Sequence, residues 1–465
     1  MIFAVFYVII REVGITQKGF PMTIDNNNLC ENHSCSSHNC EKHSVHAHHD
    51  NDIKQNVFVY RMIRGLANAV SVFMFKRKFI RNEIKGKKGP FVIIANHEAA
   101  LDFVNLIGAT RRPITFVISN SFYNTLPCRP IVSRLGMIPK QQFQTSLKDI
   151  HRMKSTLTDG KILAFYPAGL MSEDGNPTPT PAATYHFLKL IKADIYVARS
   201  YGTYFSMPKW RVGGIRRGRT YIDIYKLFDK DALATTEVSD IRAKVEEALG
   251  FDAYAEQEKL LVKFRHGNDI RGLENVLYMC PNCKTEFDMH VSGIDTIRCG
   301  ACGFEERSDE YAFLHSTGGI GREIRHISEW GRFIHDDLRE RIAKGEDTAI
   351  VSTCEIHELI PGKRRYEKCG DATVTLSEEC FRLVGDIHGE STDMTIPIAN
   401  FASLPFKPGK YIEIQHNDKT LRCYPEDGRI VMKYINMTKV FYEIHNENFE
   451  NDQKMQKREC QNATK

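Results

Sequence analysis

Alternation of secondary-structure patterns constrains the fold of this chain most. From Gly89 onward, short β-branched runs alternate with stretches of helical periodicity. The runs predict strands at residues 91–95, 114–118, 162–166, 195–198 and 221–225, and the periodicity predicts helices at 146–157 and 238–249. Such alternation is typical of an α/β domain with a mainly parallel sheet. Active sites in these folds gather where strands end and helices begin.

The chain is also too long for one domain. Its 465 residues exceed the size at which a single hydrophobic core keeps growing. After residue 270 a cysteine cluster is followed by a charged helix at 323–343, apolar runs at 372–384, 394–398, 410–415 and 420–424, and a closing helix at 430–444. These patterns predict a zinc ribbon and then a small α+β domain whose element order resembles the pleckstrin-homology-like superfold.

We therefore expect six segments. They are a disordered Cys/His-rich tail (1–56), a basic amphipathic helix (57–88), the α/β domain (89–270), a zinc ribbon (271–310), a helix with a β-rich domain (311–446) and a disordered tail (447–465).

The N-terminal tract repeats Cys-x-x-His three times within residues 30–43, with almost no apolar residues. This composition is typical of a disordered metal-binding tail, although a chance tract without a role fits it equally well. The opening run lacks the basic start and cleavage site of a secretory signal, and Met22 is an alternative start.

Residues 57–81 carry apolar side chains at helical spacing. Between residues 57 and 90 there are nine basic residues and one acid, Glu83. The pattern predicts a basic amphipathic helix that either packs on the next domain or lies on a membrane surface with anionic lipid. No apolar run reaches the roughly eighteen residues of a spanning helix.

The cysteines indicate a reducing compartment. Seven of the thirteen fall into metal-ligand patterns rather than scattered bridging positions. Together with the basic helix, they predict a cytoplasmic protein that is peripheral on the inner face of a membrane.

A candidate catalytic pair follows the strand predicted at 91–95. That strand runs into Asn96 and His97, and Asp102 stands five residues after the histidine, where a helix is expected to start. A carboxylate so placed can bind one imidazole nitrogen and leave the other to take a proton from a hydroxyl. Taken alone, the motif also fits an ordinary surface loop.

A second motif follows another strand. Residues 162–166 lead into Tyr166-Pro167-Ala168-Gly169, with Ser172 three residues further on. Asn-His-x-x-x-x-Asp after one strand and aromatic-Pro-x-Gly-x-x-Ser after another resemble the lysophospholipid (glycerophospholipid) acyltransferase family, whose type member is 1-acylglycerol-3-phosphate acyltransferase. The resemblance covers roughly residues 57–265 and implies that residues 89–270 are an acyltransferase domain.

The resemblance implies acyl transfer from acyl-CoA or acyl-carrier protein to the hydroxyl of a lysophospholipid or glycerophosphate-type acceptor. His97 would deprotonate the acceptor and Asp102 would orient the imidazole, so no acyl-enzyme nucleophile is needed. The residues that match the acceptor-binding blocks of the family, or stand beside them, are Asn96, Lys140, Tyr166, Pro167, Gly169, Ser172 and Arg199.

Three positions depart from the family pattern. Ala168 stands where members usually carry Glu, Gln142 stands where an Arg is expected, and the fourth block, 195–199, lacks Pro. We therefore expect poor use of glycerol 3-phosphate and better use of a larger or less charged lysolipid. The basic run 199–219 either holds phosphates of a donor or lipid, or is a solvated turn.

Two Cys-x-x-Cys pairs form the most specific metal signal. Cys280 and Cys283 precede Cys299 and Cys302, with fifteen residues between the pairs. This spacing suits four thiolates around a structural, tetrahedral zinc ion, and redox chemistry or an iron site is the alternative.

Two other functional classes stay open. A lipid-binding or regulatory protein on a degraded acyltransferase scaffold is compatible with Ala168, whereas the intact His97 and Asp102 favour an enzyme. The tail could recognise a carrier protein or a membrane. A nucleic-acid role for the ribbon is disfavoured because acids surround it, at Glu286, Asp288, Asp295, Glu305, Glu306, Asp309 and Glu310.

Overall fold

The computed structural model describes residues 55–125, 133–142, 146–360, 365–398, 401–416 and 419–463. The Cys/His-rich repeat, and with it the tail predicted up to residue 54, lies outside the described residues.

The first region is an α/β domain, as the alternation predicted. Its strands are β1 (Lys78–Asn82), β2 (Phe91–Ala95), β3 (Ile114–Ser119), β4 (Ile138–Lys140), β5 (Ile162–Phe165), β6 (Asp194–Tyr201) and β7 (Tyr221–Phe228). Its helices are α1 (Val57–Met74), α2 (Asp102–Ile107), α3 (Asn120–Thr125), α4 (Leu147–Thr158), α5 (Ala182–Leu190), α6 (Thr203–Ser206), α7 (Lys230–Thr235), α8 (Val238–Leu249) and α9 (Ala253–Leu260).

The sheet of this domain has the order β1-β7-β6-β2-β5-β3-β4. Only the β6–β7 pair is antiparallel among its described pairings, so the sheet is mainly parallel. Strand β2 lies in the middle and every one of its five residues is buried, which its apolar sequence requires. The carboxyl ends of β2, β3, β4 and β5 consequently meet at one edge.

Helix α1 is shorter than the sequence predicted. It ends at Met74, and Lys78–Asn82 forms the edge strand β1, which pairs in parallel with β7. The predicted helix therefore ends before its C-terminal basic cluster. By length and composition α1 could cross a membrane, with a mean hydropathy of 1.3, a property that the search for uninterrupted apolar runs missed.

One face of α1 packs on the domain. The Tyr60 hydroxyl accepts a hydrogen bond from the backbone N–H of Ile114 at 3.1 Å, and Ser71 Oγ donates to Asn105 Oδ1 at 2.9 Å. The opposite face is open, with Phe58 71% and Phe73 70% exposed. One face of the helix therefore packs on the domain, as one of the two interpretations held, and membrane contact by the open face stays a prediction.

The second region begins with a small antiparallel sheet. Strands β8 (Met289–Ser292), β9 (Thr296–Cys299), β10 (Glu305–Ser308) and β11 (Leu314–Ser316) follow the first cysteine pair in the order β11-β10-β9-β8. Helix α10 (Ile327–Ala343) follows it; Trp330 packs against Phe304, and its Nε1 donates to the carbonyl of Met279 at 2.8 Å.

A seven-stranded antiparallel sheet and a long helix complete the chain. The strands are β12 (Ala349–Leu359), β13 (Tyr366–Ser377), β14 (Cys380–Ile387), β15 (Glu390–Pro397), β16 (Phe406–Lys407), β17 (Tyr411–His416) and β18 (Lys419–Pro425), in the order β15-β14-β13-β12-β18-β17-β16. Helix α11 spans Val431–Ala463. The β-rich region is confirmed, whereas its likeness to the pleckstrin-homology-like superfold stays a prediction.

Two expectations for this region were wrong in detail. Residues 372–384, read as one strand, belong to the β13–β14 hairpin, and α11 continues as a helix where residues 447–465 were expected to be disordered. The boundary drawn at residue 270 also does not divide the core. One hydrophobic cluster joins Tyr204, Phe205 and Trp210 of the first region to Cys280, Trp330 and residues of the C-terminal sheet.

Candidate active site

A large cavity opens where the parallel strands end. It has a volume of about 840 Å³, and its wall includes His97, which follows β2, Tyr166, which follows β5, and Lys140, which ends β4. The sequence order separates these residues by up to 69 positions, and the shared strand direction brings them together. This placement is the one expected for a site in a parallel α/β sheet.

His97 and Asp102 form the hydrogen-bonded pair that the sequence predicted. Nδ1 of His97 lies 3.0 Å from Oδ2 of Asp102. The same carboxylate oxygen accepts hydrogen bonds from the backbone N–H groups of Glu98 at 2.8 Å and Ala99 at 2.9 Å. Asp102 is buried at the start of α2, where a helix N-terminus favours its negative charge. The imidazole therefore presents Nε2 for chemistry.

Tyr166 fixes the plane of the imidazole. Its ring stacks on His97 with 4.3 Å between centroids and 23° between planes. Burial, and then the charge of Asp102, raise the pKa of the Tyr166 phenol well above its usual value, so the hydroxyl stays neutral. Tyr166 lines the cavity, and its ring contacts His97, while its predicted contact with substrate stays a prediction.

Asn96 has a structural role rather than the predicted contact with substrate. Its Nδ2 donates to the carbonyl of Ser200 at 2.9 Å, and its Oδ1 accepts from the Ser200 N–H at 2.8 Å. Both amide groups are therefore used to join the end of β2 to β6.

Glu98 is a residue that the sequence reasoning missed. Its buried Oε2 accepts from Thr203 Oγ1 at 3.0 Å and from the Tyr204 N–H at 3.1 Å. Burial, with a further contribution from Asp102, raises the pKa of this carboxyl to about 8. An acid inside the Asn-His-x-x-x-x-Asp motif was the available signal. Glu98 ties the loop that carries His97 to α6.

The turn after β5 is formed by Pro167 and Gly169, which both line the cavity. Gly169 has a φ of 71°, a left-handed conformation that favours glycine. Ser172 does not line the main cavity. It is buried, its Oγ donates to the carbonyl of Asn176 at 2.7 Å, and its N–H donates to the carbonyl of His97 at 3.0 Å. Ser172 therefore holds the two loops together, and its predicted contact with substrate stays a prediction.

Lys140 lines the cavity, as predicted, and its ammonium donates to the carbonyl of Gln141 at 3.2 Å. Burial lowers its pKa, against the attraction of Asp149. Gln142 Nε2 donates to the carbonyl of Gly169 at 2.6 Å. The position where the family carries Arg therefore supports the turn with a neutral amide.

Arg199 is not part of the cavity wall in the described residues, contrary to the prediction. Its guanidinium lies 4.8 Å from the centroid of the Phe251 ring. The basic run that follows divides into two kinds of residue. Arg216 is fully buried and donates to the carbonyl of Asp269, so it is neither solvated nor available to a ligand. Lys209 and Arg211 line the cavity, and Arg211 pairs with Asp269 at 3.2 Å.

The C-terminal region builds part of the cavity wall, which the sequence did not reveal. Side chains of the last three strands and of α11 face the catalytic domain across the cavity; they are Phe406, Lys407, Tyr411, Glu413, Arg422, Tyr442 and Asn446. Glu413 Oε2 accepts from Ser121 Oγ of α3 at 3.0 Å and from Arg422 Nε at 3.1 Å. The two regions therefore share one site.

The four predicted zinc ligands converge. Sγ of Cys280 lies 3.6 Å from Sγ of Cys302, Sγ of Cys283 lies 3.7 Å from Sγ of Cys299, and all four lie within 4.8 Å of one another. Four thiolates at about 2.3 Å from a tetrahedral zinc ion would lie about 3.8 Å apart. The donor set and spacing are compatible with zinc, and four protein ligands would leave no position for substrate.

A second group with metal-ligating atoms lies in the C-terminal sheet. It consists of Glu358, Cys369 and His388. Nε2 of His388 lies 2.7 Å from Oε2 of Glu358, and the Lys419 ammonium lies 3.9 Å from the same oxygen. The carboxylate therefore already has a hydrogen-bonding partner and a cationic neighbour.

Part of the chain matches a known family. Residues 54–200 match the family model described as Acyltransferase. The match confirms the resemblance to the lysophospholipid acyltransferase family that the motifs carried.

Among solved structures, the chain is similar to the crystal structure of the 1-acyl-sn-glycerophosphate (LPA) acyltransferase PlsC from Thermotoga maritima. The identity is 16%, the TM-score is 0.35, and the match covers 41% of this chain and 77% of that chain. No curated protein matches the sequence.

Proposed function

We propose that this protein transfers a fatty acyl group from acyl-CoA or acyl-carrier protein to the hydroxyl of a lysophospholipid or glycerophosphate-type acceptor. The observation that carries the proposal is the His97–Asp102 pair at the mouth of a large cavity, within an acyltransferase-family domain. Apolar side chains of the cavity suit an acyl chain; they include Phe103, Phe116, Phe122, Phe165 and Phe187.

In the proposed reaction, Nε2 of His97 takes the proton of the acceptor hydroxyl while Asp102 stabilises the resulting imidazolium. The acceptor oxygen attacks the thioester carbonyl, forming the new ester bond as the carbon–sulfur bond breaks. The departing thiolate then takes the proton from His97, which returns the imidazole to its neutral form. No covalent acyl-enzyme is required.

We further propose that the four-cysteine cluster holds one structural zinc ion. The four sulfur atoms lie within 4.8 Å of one another, a spacing that suits four thiolates around one tetrahedral ion. With all four positions occupied by protein, the ion would order the polypeptide and take no part in acyl transfer.

We also propose that the open face of α1 rests on the membrane. Phe58 and Phe73 would enter the interface, and the exposed Lys76 and Lys78 beyond the helix would contact anionic headgroups. The inner face of the membrane, reached from the cytoplasm, is the proposed location. The buried polar contacts of Tyr60 and Ser71 favour a helix that lies on the surface.

The direct test supplies membrane-reconstituted protein with mixed acyl-CoA and acyl-carrier donors and a panel of lysolipids, followed by mass spectrometry of the products. We expect an acylated glycerolipid that His97→Ala does not form. A protein that binds lysolipid but forms no product with any donor would contradict the enzyme and favour the lipid-binding alternative.

A further inference from the structure

The cavity wall contributed by the C-terminal region is positively charged. Five lysine and arginine residues line the cavity among the described residues, namely Lys140, Lys209, Arg211, Lys407 and Arg422, and Glu413 is the single acid with them. Arg211 is neutralised by Asp269 and Arg422 by Glu413. Lys209 and Lys407, at the junction of the regions, form no ion pair among the described residues.

Lys209 of the first region and Lys407 of the C-terminal region line the same cavity at that junction. The Lys209 ammonium lies 3.2 Å from the centroid of the Phe406 ring, next to Lys407 in β16. Burial lowers the pKa of Lys209 to about 7, although Glu173 acts to raise it, and the positive charges of Lys439 and Lys407 lower it further. Glu173 is shared, because it also forms an ion pair with Lys439.

Lys407 has even less compensation. Burial lowers its pKa first, and its charged neighbours Lys410 and Arg422 lower it further. Among the described residues its ammonium has no hydrogen-bond or ion-pair partner. Cations held close together in a partly buried site are costly unless an anion joins them.

We infer that Lys209 and Lys407 form a phosphate-binding subsite of the catalytic cavity, so that the C-terminal region completes the substrate site. The inference rests on the proposed acyl transfer for its choice of ligand. A phosphate there belongs to the headgroup of the acceptor or to the CoA moiety of the donor. The subsite supplies positive charge that the neutral Gln142 does not supply at the Gly169 turn.

The test measures binding without turnover, in full-length protein that carries His97→Ala. The probes are short-chain lysophosphatidic acid and a monoacylglycerol of the same chain, then acyl-CoA and the matching acyl N-acetylcysteamine thioester. Each pair differs by the presence of phosphate. The variants are Lys407→Gln and Lys209→Gln, with Lys407→Arg as the charge-retaining variant.

Lys410→Gln is the matched control, because it removes the same charge three residues away from an exposed side chain outside the cavity lining. We expect Lys407→Gln and Lys209→Gln to weaken binding of one phosphate-bearing probe by about tenfold or more, and of its phosphate-free partner by less than about twofold. Lys407→Arg and Lys410→Gln should bind nearly as the parent does.

The outcome identifies the source of the phosphate. A loss confined to lysophosphatidic acid assigns the subsite to the acceptor, and a loss confined to acyl-CoA assigns it to the donor. The inference would be overturned if Lys407→Gln and Lys209→Gln bound every probe with the same affinity as Lys410→Gln and the parent, with unchanged melting temperatures. Absence of acyl transfer by wild-type protein that still shows the lysine dependence would instead reject the proposed function and leave the subsite standing.

Discussion

The catalytic domain and the C-terminal region hold their residues by different means. In the first, His97, Tyr166 and Lys140 are placed by parallel strands whose ends meet at one edge. In the second, residues that reach the same cavity stand on an antiparallel sheet, held against the catalytic domain by contacts between side chains. His97 and Asp102 are therefore brought together by one strand and the loop that follows it, whereas the rest of the cavity wall forms only where the two regions pack against each other.

The largest expected effect tests whether chemistry depends on the first region. His97→Ala removes the proposed base and should lower kcat by about 10²–10⁴-fold, while Asp102→Asn should leave more activity because a misoriented imidazole is still present. The rate of product formation with saturating donor and acceptor measures kcat for each variant. His151→Ala, at an exposed histidine on α4, is the control. Wild-type rates in folded His97→Ala protein would rule out this base.

The second prediction tests what orders the C-terminal region. Cys280→Ser or Cys302→Ser should abolish tight binding of about one zinc ion per chain and lower the melting temperature. Because the core around Cys280 continues to Tyr204 and Trp210, loss of metal should also increase hydrogen exchange next to the cavity.

Metal analysis and hydrogen exchange by mass spectrometry check this prediction. Cys380 is a cysteine of the same region outside the cluster, so Cys380→Ser should change neither the zinc content nor the hydrogen exchange. Zinc retained in full by both cluster variants would refute the assignment of the ligands. Increased exchange limited to the four-stranded sheet would show that the two regions are less coupled than their shared core indicates.

The sequence predicted more of the structure of the catalytic domain than of the C-terminal region. Strands β2 and β5 and the His97–Asp102 pair followed from apolar runs and short spacings, which are local signals. The strand at Lys78–Asn82 was missed because it pairs with Tyr221–Phe228, about 140 residues away, and because three of its five residues are exposed. A strand of this kind lacks the apolar run that local reading needs.

The C-terminal region shows the same limit more strongly. The cysteines revealed their cluster because ligand spacing is local, but the turn between β13 and β14 contains Glu378 and Glu379 in place of Gly or Pro, so the hairpin was read as one strand. The wall that carries Lys407 and Arg422 is joined to the first region by contacts such as that of Glu413 with Ser121, which lie 292 positions apart. Pattern in a single sequence carries no signal for such a contact.

The third prediction separates the open face of α1 from its packed face. Phe58→Glu with Phe73→Glu should weaken binding to anionic vesicles by about tenfold or more, since a buried phenylalanine contributes about 1.5–3 kcal/mol. The substitution leaves Tyr60 and Ser71 in their contacts with the domain. Vesicle sedimentation is the measurement, and Val351→Glu, which is 57% exposed on β12, is the control. Unchanged binding would move the membrane contact to another surface.

The smallest effect probes the junction itself, through Glu98. This carboxyl joins the loop that carries His97 to α6, and Tyr204 of α6 belongs to the core that both regions share. Its pKa is raised by burial from 4.5 to about 8, so the folded state holds a proton that the unfolded state has released. Stability from this group is therefore present below the unfolded pKa and is lost as pH rises through about 8.

Glu98→Gln keeps a neutral side chain at every pH, so the free energy of unfolding of wild type relative to this variant should fall with rising pH. Between about pH 6.5 and about pH 7.5 the fall is at most about 1.4 kcal/mol, the value for one proton over one pH unit. Urea unfolding at both pH values measures it, with Glu247→Gln on the exposed face of α8 as the control. A relative stability that is the same at both pH values would mean that Glu98 is ionised in the folded state as it is in the unfolded state.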